Sequence, residues 1–248
     1  MENNENTAPK MALKGRFWGW LDNFWYHYKW HSLIALFLVF TVTVLTLQMC
    51  KKESYDAYVL YAGGYAVSHQ SENGDFPEYN KIKDSIEFFS SDYDDNGKTV
   101  ISFRDLYIPS EEEMKGLDEY YYQRAYNDRQ TLGSTMLSGD YFICLFAPEI
   151  YESYRNATKE GEPGVFSKLE PLLSSTSSVS FYDGDKTGIV LSSLPAYSLM
   201  GLNKLPPDTV ICLRNTNFSS FISKKTDQEM YERSREILTA ILNYNQGN

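Results

Sequence analysis

The sequence predicts an α/β domain, three layers thick with a mainly parallel sheet, placed behind one N-terminal transmembrane helix. Three observations predict it. The run from Leu33 to Cys50, LIALFLVFTVTVLTLQMC, holds no charge, no Gly and no Pro. Beyond it, short apolar runs alternate with stretches whose apolar residues recur at helical spacing, the pattern of βαβ units. The 198 residues after position 50 match the usual size of one domain, and a 42% hydrophobic composition supplies a core.

The apolar run comes first. Eighteen residues as helix span about 27 Å, close to the ~30 Å hydrocarbon core of a bilayer. Lys29 and His31 bound one end; Lys51, Lys52 and Glu53 bound the other. The division expected is a tail and aromatic interfacial helix over 1–30, a span over 31–50 and an extracytoplasmic domain over 55–248. All four tryptophans, Trp18, Trp20, Trp25 and Trp30, precede the span, where indole rings favour the headgroup level. Phe17, Leu21, Phe24 or Trp25, and Tyr28 recur at helical spacing, which predicts an amphipathic helix lying in the interface. A docking collar for a membrane partner protein is the other reading.

A short tail, one span and a large following domain form a signal-anchor layout, with the N-terminus in the cytoplasm and the domain outside. Lys14, Arg16 and Lys29 lean the same way. Cys50 follows Met49, whereas lipoprotein processing wants a small residue there.

In the domain, Ala57–Tyr61 reads as a buried strand stopped by Gly63-Gly64. A helix follows over 79–90, with Ile82, Ile86 and Phe89 on one face, and a strand over 100–108. Ser110 and Glu113 form a capping box, predicting a helix that runs to about Leu137 and ends at Ser138-Gly139. Tyr141–Phe146 is a continuous apolar run of the parallel-strand type, followed by a short helix over 149–156. Residues 159–178 read as loop, and 189–191 and 209–213 as strands. Thr226 with Glu229 is a second capping box, opening a helix that buries Met230, Ile237, Leu238 and Ile241.

The net charge is −10, and residues 1–50 contribute +1, leaving −11 on the rest. That balance repels phosphate backbones and excludes nucleic acid as an expected partner. It serves dispersal in water, or the binding of a cationic ligand.

Asp92-Tyr93-Asp94-Asp95-Asn96-Gly97-Lys98 places Asp92, Asp94 and Asn96 at positions 1, 3 and 5 of a calcium loop, with Gly97 at the sharp turn. Position 12 is Phe103 in place of the bidentate Glu, so Glu87 or Asp105 would have to complete the shell. The competing reading is an Asx-rich turn before a strand. Apart from this calcium reading, the sequence implies no cofactor.

Catalytic motifs are missing. The histidines are His27, His31 and His69, of which only His69 falls in the domain. There is no G-x-S-x-G, H-E-x-x-H, P-loop or G-x-G-x-x-G. Cys144 and Cys212 sit in apolar runs with no CxxC, which reads as buried thiols, or as a disulfide if their strands are neighbours. The cluster Tyr120-Tyr121-Tyr122 offers a stacking surface for a sugar or peptide, or a half-buried helix face.

Met136-Leu137-Ser138-Gly139-Asp140-Tyr141-Phe142-Ile143 resembles the helix, turn and strand of a lobe of type-2 solute-binding proteins of bacterial transporters. The stretch from Phe166 to Leu172 is similar to the loop that precedes the next lobe in those proteins. The resemblance implies ligand-facing residues from Phe146 to Glu149 in a reduced lobe; Tyr121, from the tyrosine cluster, is a further ligand-binding candidate. Phe24-Trp25-Tyr26-His27-Tyr28-Lys29-Trp30-His31 resembles the collar of uncharacterised single-pass membrane proteins of Gram-positive anaerobes. The resulting expectation is a membrane-anchored binding domain for a small molecule or peptide, not an enzyme. The alternative is an accessory subunit of a membrane complex.

Overall fold

The computed structural model describes residues 12–50, 55–68, 74–157, 164–175, 179–199, 201–216 and 224–245. His69, part of the 159–178 loop and the side chains of Phe17, Leu21, Cys50 and Thr226 lie outside what is described. The chain forms two compact units, Met1–Glu53 and Ser54–Asn248.

The described residues of the first unit form one helix, α1 (Ala12–Cys50), of 39 residues. The sequence suggested an interfacial helix leading into a separate span; the structure has no break between them. No proline lies within α1 to interrupt its backbone ladder. The tryptophans do not form one stripe. At 100° per residue, Trp18 and Trp25 share a side while Trp20 and Trp30 point elsewhere, so the aromatic collar is a girdle. Trp20 stacks on Phe24 at 5.6 Å and Phe24 on Tyr28 at 5.4 Å, a ladder at i, i+4 spacing.

The window Asn23–Leu47 is long and apolar enough to cross a membrane, and none of it is buried in protein. Its three threonines hide their hydroxyls: Thr41, Thr43 and Thr46 donate to the carbonyls of Phe37, Val39 and Val42, each at 2.8 Å. The apolar surface is therefore interrupted by no unsatisfied hydroxyl among them.

The second unit is built on five strands: β1 (Ala57–Gly63), β2 (Ile101–Tyr107), β3 (Ile143–Phe146), β4 (Gly188–Val190) and β5 (Val210–Leu213). Their order is β2-β1-β3-β5-β4. β1 is parallel to both β2 and β3, whereas β5 is antiparallel to β3 and to β4. The sheet is thus mixed rather than mainly parallel. A strand buried on both faces is apolar whichever way it runs, so its sequence records burial and not direction.

Alternation assigns each strand to two cores. Val59 and Tyr61, Ile143 and Leu145, and Ile211 and Leu213 face one; Leu60 and Ala62, Cys144 and Phe146, and Val210 and Cys212 face the other. The first core is covered by α2 (Pro77–Glu87) through Ile82 and Ile86, and by Ala196 of α6 (Pro195–Leu199). Ile237, Leu238, Ile241 and Leu242 of α7 (Lys224–Leu242) complete that cover. The second is covered by α4 (Glu119–Ser138) through Leu132 and Met136, and by α5 (Pro148–Arg155) through Tyr151.

The Ser110–Glu113 capping box forms, but it opens only α3 (Glu111–Met114). The expected long helix stops at Gly116, a poor helix former, and restarts at Asp118, whose carboxylate accepts the Tyr121 N–H at 2.9 Å. Thr226 is not an N-cap: α7 already runs from Lys224, so Thr226 falls in its first turn. α4 ends as expected at Gly139, left-handed at φ 90°.

Arg214, just past β5, is fully buried. It donates to the carbonyls of Met136 (3.3 Å), Gly139 (2.7 Å) and Tyr141 (2.9 Å), and its guanidinium lies 4.4 Å from the Phe142 ring centre. A cation thus meets the negative end of α4 and the turn behind it. Cys144 and Cys212 face each other across β3 and β5 as free buried thiols. Burial, reinforced by Cys144, pushes the Cys212 thiol up.

Candidate functional site: a cleft at the carboxyl ends of the strands

From β1 the chain crosses through α2 on one face to β2, then returns through α4 on the opposite face to β3. The connections therefore diverge between β1 and β3, leaving a crevice at the carboxyl ends of those strands. The crevice is a cavity of about 770 Å³. Its walls come from the ends of β1 and β3, the Ile108–Ser110 turn, α3, α4, α5 and the Pro206–Thr209 turn. Two short backbone bonds fix the floor: Ile108 N–H to Gly63 O at 2.7 Å and Ala147 N–H to Ala62 O at 2.9 Å.

Tyr61 supplies a buried polar group to the lining. Its side chain is buried, at 1% exposure, yet it lines the cavity. Gly63 makes this feasible: a Cβ there would sit 2.6 Å from the Tyr61 hydroxyl oxygen, so the missing side chain leaves the ring its path along the strand. The hydroxyl accepts the Tyr65 backbone N–H, and burial pushes its pKa well up. Tyr65 lines the wall and donates to Glu78; burial, then that bond, raises its pKa to about 12.

The charged groups differ in how they are held. Glu113 accepts the Ser110 N–H and hydroxyl, both at 2.8 Å. Arg129 donates to the Pro109 carbonyl at 2.8 Å. Glu149, in the first turn of α5, and Asp208, in the turn before β5, are exposed on the wall without a hydrogen bond or ion pair among the described residues.

Of the residues singled out in the sequence, Glu149 lies on this wall. Phe146 does not: it is fully buried in the second core, against Tyr154 and Phe166. The physical reason is strand alternation, which points it into the α4 and α5 layer while the strand end just after it opens to the cleft. Tyr121 lines an adjoining hollow of about 640 Å³ that shares Gly64 and Tyr65 with the cleft, and it packs edge-on against Tyr107 at 6.0 Å. Trp18, Trp20, Trp25 and Trp30 sit on α1. Tyr61, Arg129 and Asp208 were missed from sequence. A signal for Tyr61 existed in the Gly63-Gly64 pair, because glycine at a strand end marks close approach of another group.

Asp92 and Asp94 do come together with a third carboxylate, the buried Asp56, their oxygens within 4.8 Å of one another. All three are engaged by backbone donors. Asp56 accepts from Tyr93 and Val100, Asp92 from Asn96 and Gly97, and Asp94 from Asn96. The Asn96 side chain accepts from Lys98 N–H at 2.9 Å. Asp95 and Gly97 take positive φ, 54° and 80°. Phe103, at the position where a calcium loop has Glu, is buried in the first core. Glu87 turns to the Ile101 N–H, and Asp105 to Ser68 and Arg124. The bonds are those of an Asx-rich turn.

No family model matches the chain, and no curated protein or solved structure matches it either.

Proposed function

We propose that this protein is a membrane-anchored extracytoplasmic binding module, similar to a reduced solute-binding lobe, whose ligand occupies the cleft at the ends of β1 and β3. The observation that supports this most is the 770 Å³ cavity at the divergence of the strand connections, lined by tyrosine rings and a few convergent polar groups. Anchoring rests on the length and exposed apolar surface of Asn23–Leu47, and the orientation on the lysine and arginine ahead of it. Among the described residues the lining holds no His or Cys, which favours binding over catalysis.

The test is a thermal-shift screen of the full chain in nanodiscs against sugars, amines, amino acids and short peptides. A shift of several degrees with one class supports the reading; no shift with any class overturns it. The exposed ladder of Trp20, Phe24 and Tyr28 favours a second reading, an accessory subunit that docks through α1. Crosslinking from Phe24 to a single membrane protein in cells, with an unresponsive cleft, would favour that alternative.

A further inference from the structure

We propose that the cleft recognises an organic ammonium, an amine on a carbon skeleton that also offers a hydrogen-bond acceptor such as an amide oxygen. This deepens the binding reading above and rests on it. Among the described residues four charged side chains line the cavity, Glu113, Glu149 and Asp208 against Arg129. The single cation already serves the Pro109 carbonyl, and Glu113 is partly spent on its capping box. Glu149 and Asp208 are the ones left over. A carboxylate with no protein partner on a concave wall favours a cation and repels an anion. The positive end of α5, which would otherwise attract an anion, is met by Glu149 within its own first turn.

The second observation is independent of charge. Tyr61 is buried to 99% of its surface, and its hydroxyl is held by the Tyr65 N–H, yet its own O–H donates to no acceptor among the described residues. That buried donor lines the cavity, reaching it over Gly63. Its O–H is therefore available to a ligand acceptor in the cavity. Tyr61, Tyr65 and Tyr154 line the same walls, and tyrosine offers apolar ring carbon beside a polar tip, which suits the methylenes of a carbon skeleton. Carboxylates on the rim, rings on the walls and a donor at the floor therefore call for a cationic head and an acceptor further along the skeleton.

The experiment uses the full chain in nanodiscs with lysinamide and putrescine as probes, and butane-1,4-diol and succinate as neutral and anionic counterparts. The expected result is binding of both amines by calorimetry, with lysinamide the tighter. E149Q/D208N, changes at two exposed positions, should weaken both amines at least tenfold with an unchanged melting profile. Tyr61→Phe should remove the preference for lysinamide over putrescine while leaving putrescine binding in place. Binding of diol or succinate in the cleft, with amines ignored, overturns the ammonium assignment and leaves the binding module standing. Amine binding unaffected by E149Q/D208N also overturns it. Silence from the wider ligand screen removes both readings together.

Discussion

Arg214 carries three hydrogen bonds on one fully buried charged side chain. Its three carbonyl acceptors sit at the end of α4 and in the turn to β3. Replacing it with Met keeps much of the bulk but orphans those carbonyls. Arg214→Met should therefore cost about 3 kcal/mol, read as a lower urea midpoint at unchanged slope. Asp183 makes a different residue-scale case. Burial alone would raise its carboxyl, but hydrogen bonds from Tyr151, then Thr187 and the Lys186 N–H, outweigh that and hold it below the ordinary value. A carboxyl with a lowered folded pKa stabilises the fold above its unfolded value, and that contribution is lost as pH falls through the folded one. Stability should thus drop on acidification below about pH 4, and Asp183→Asn should flatten that drop. Asp128 acts in the opposite sense: burial raises its carboxyl, so its contribution is present in acid and lost as pH rises. The Asp183 test is therefore the difference between variant and parent across a pH series of melts, not the parent curve alone.

At the scale of elements, what was legible in the sequence is what is local. The Ser110–Glu113 box is written in four consecutive residues, and it forms. The ends of α4 at Gly139 and of β1 at Gly63 were equally readable, because glycine is needed where they stop. The reversal of β5 was not, since Val210–Leu213 is equally apolar in either direction. Nor was the role of Arg214, whose acceptors are 73 to 78 residues away in the chain. The Glu149 wall was half-legible: the stretch was identified, but strand alternation sends its neighbour Phe146 inward. The sheet edges show the same dependence on distant partners. The outward groups of β2 are met by side chains, Glu87 on the Ile101 N–H, Tyr79 on the Phe103 carbonyl and Asp128 on the Tyr107 N–H. These contacts blunt an edge that would otherwise template pairing with another chain. For α1, the anchor reading gives a prediction of its own. Val39→Asp places a charge in the middle of the apolar window at a cost of about 3 kcal/mol. The variant should shift from the carbonate-resistant membrane fraction towards the extractable one.

The whole chain joins two units that treat their apolar side chains in opposite ways. α1 has exposed Leu, Val and Phe side chains along its length and satisfies its threonine hydroxyls internally. The second unit buries its apolar residues in two cores on either side of one sheet. Cys144 and Cys212 stand at the middle of that sheet, on adjacent strands, with no surface open to water. Alkylating reagents can reach them only when β3 and β5 part, which makes the pair a stopwatch for the opening of the domain. With Cys50 changed to Ser, the rate at which the remaining thiols acquire mass would time that event in an intact membrane, with no denaturant and no added reporter. A ligand seated in the cleft beside β3 would slow the clock by the amount it stabilises the closed sheet, so occupancy could be followed in living cells through two atoms that never touch the ligand.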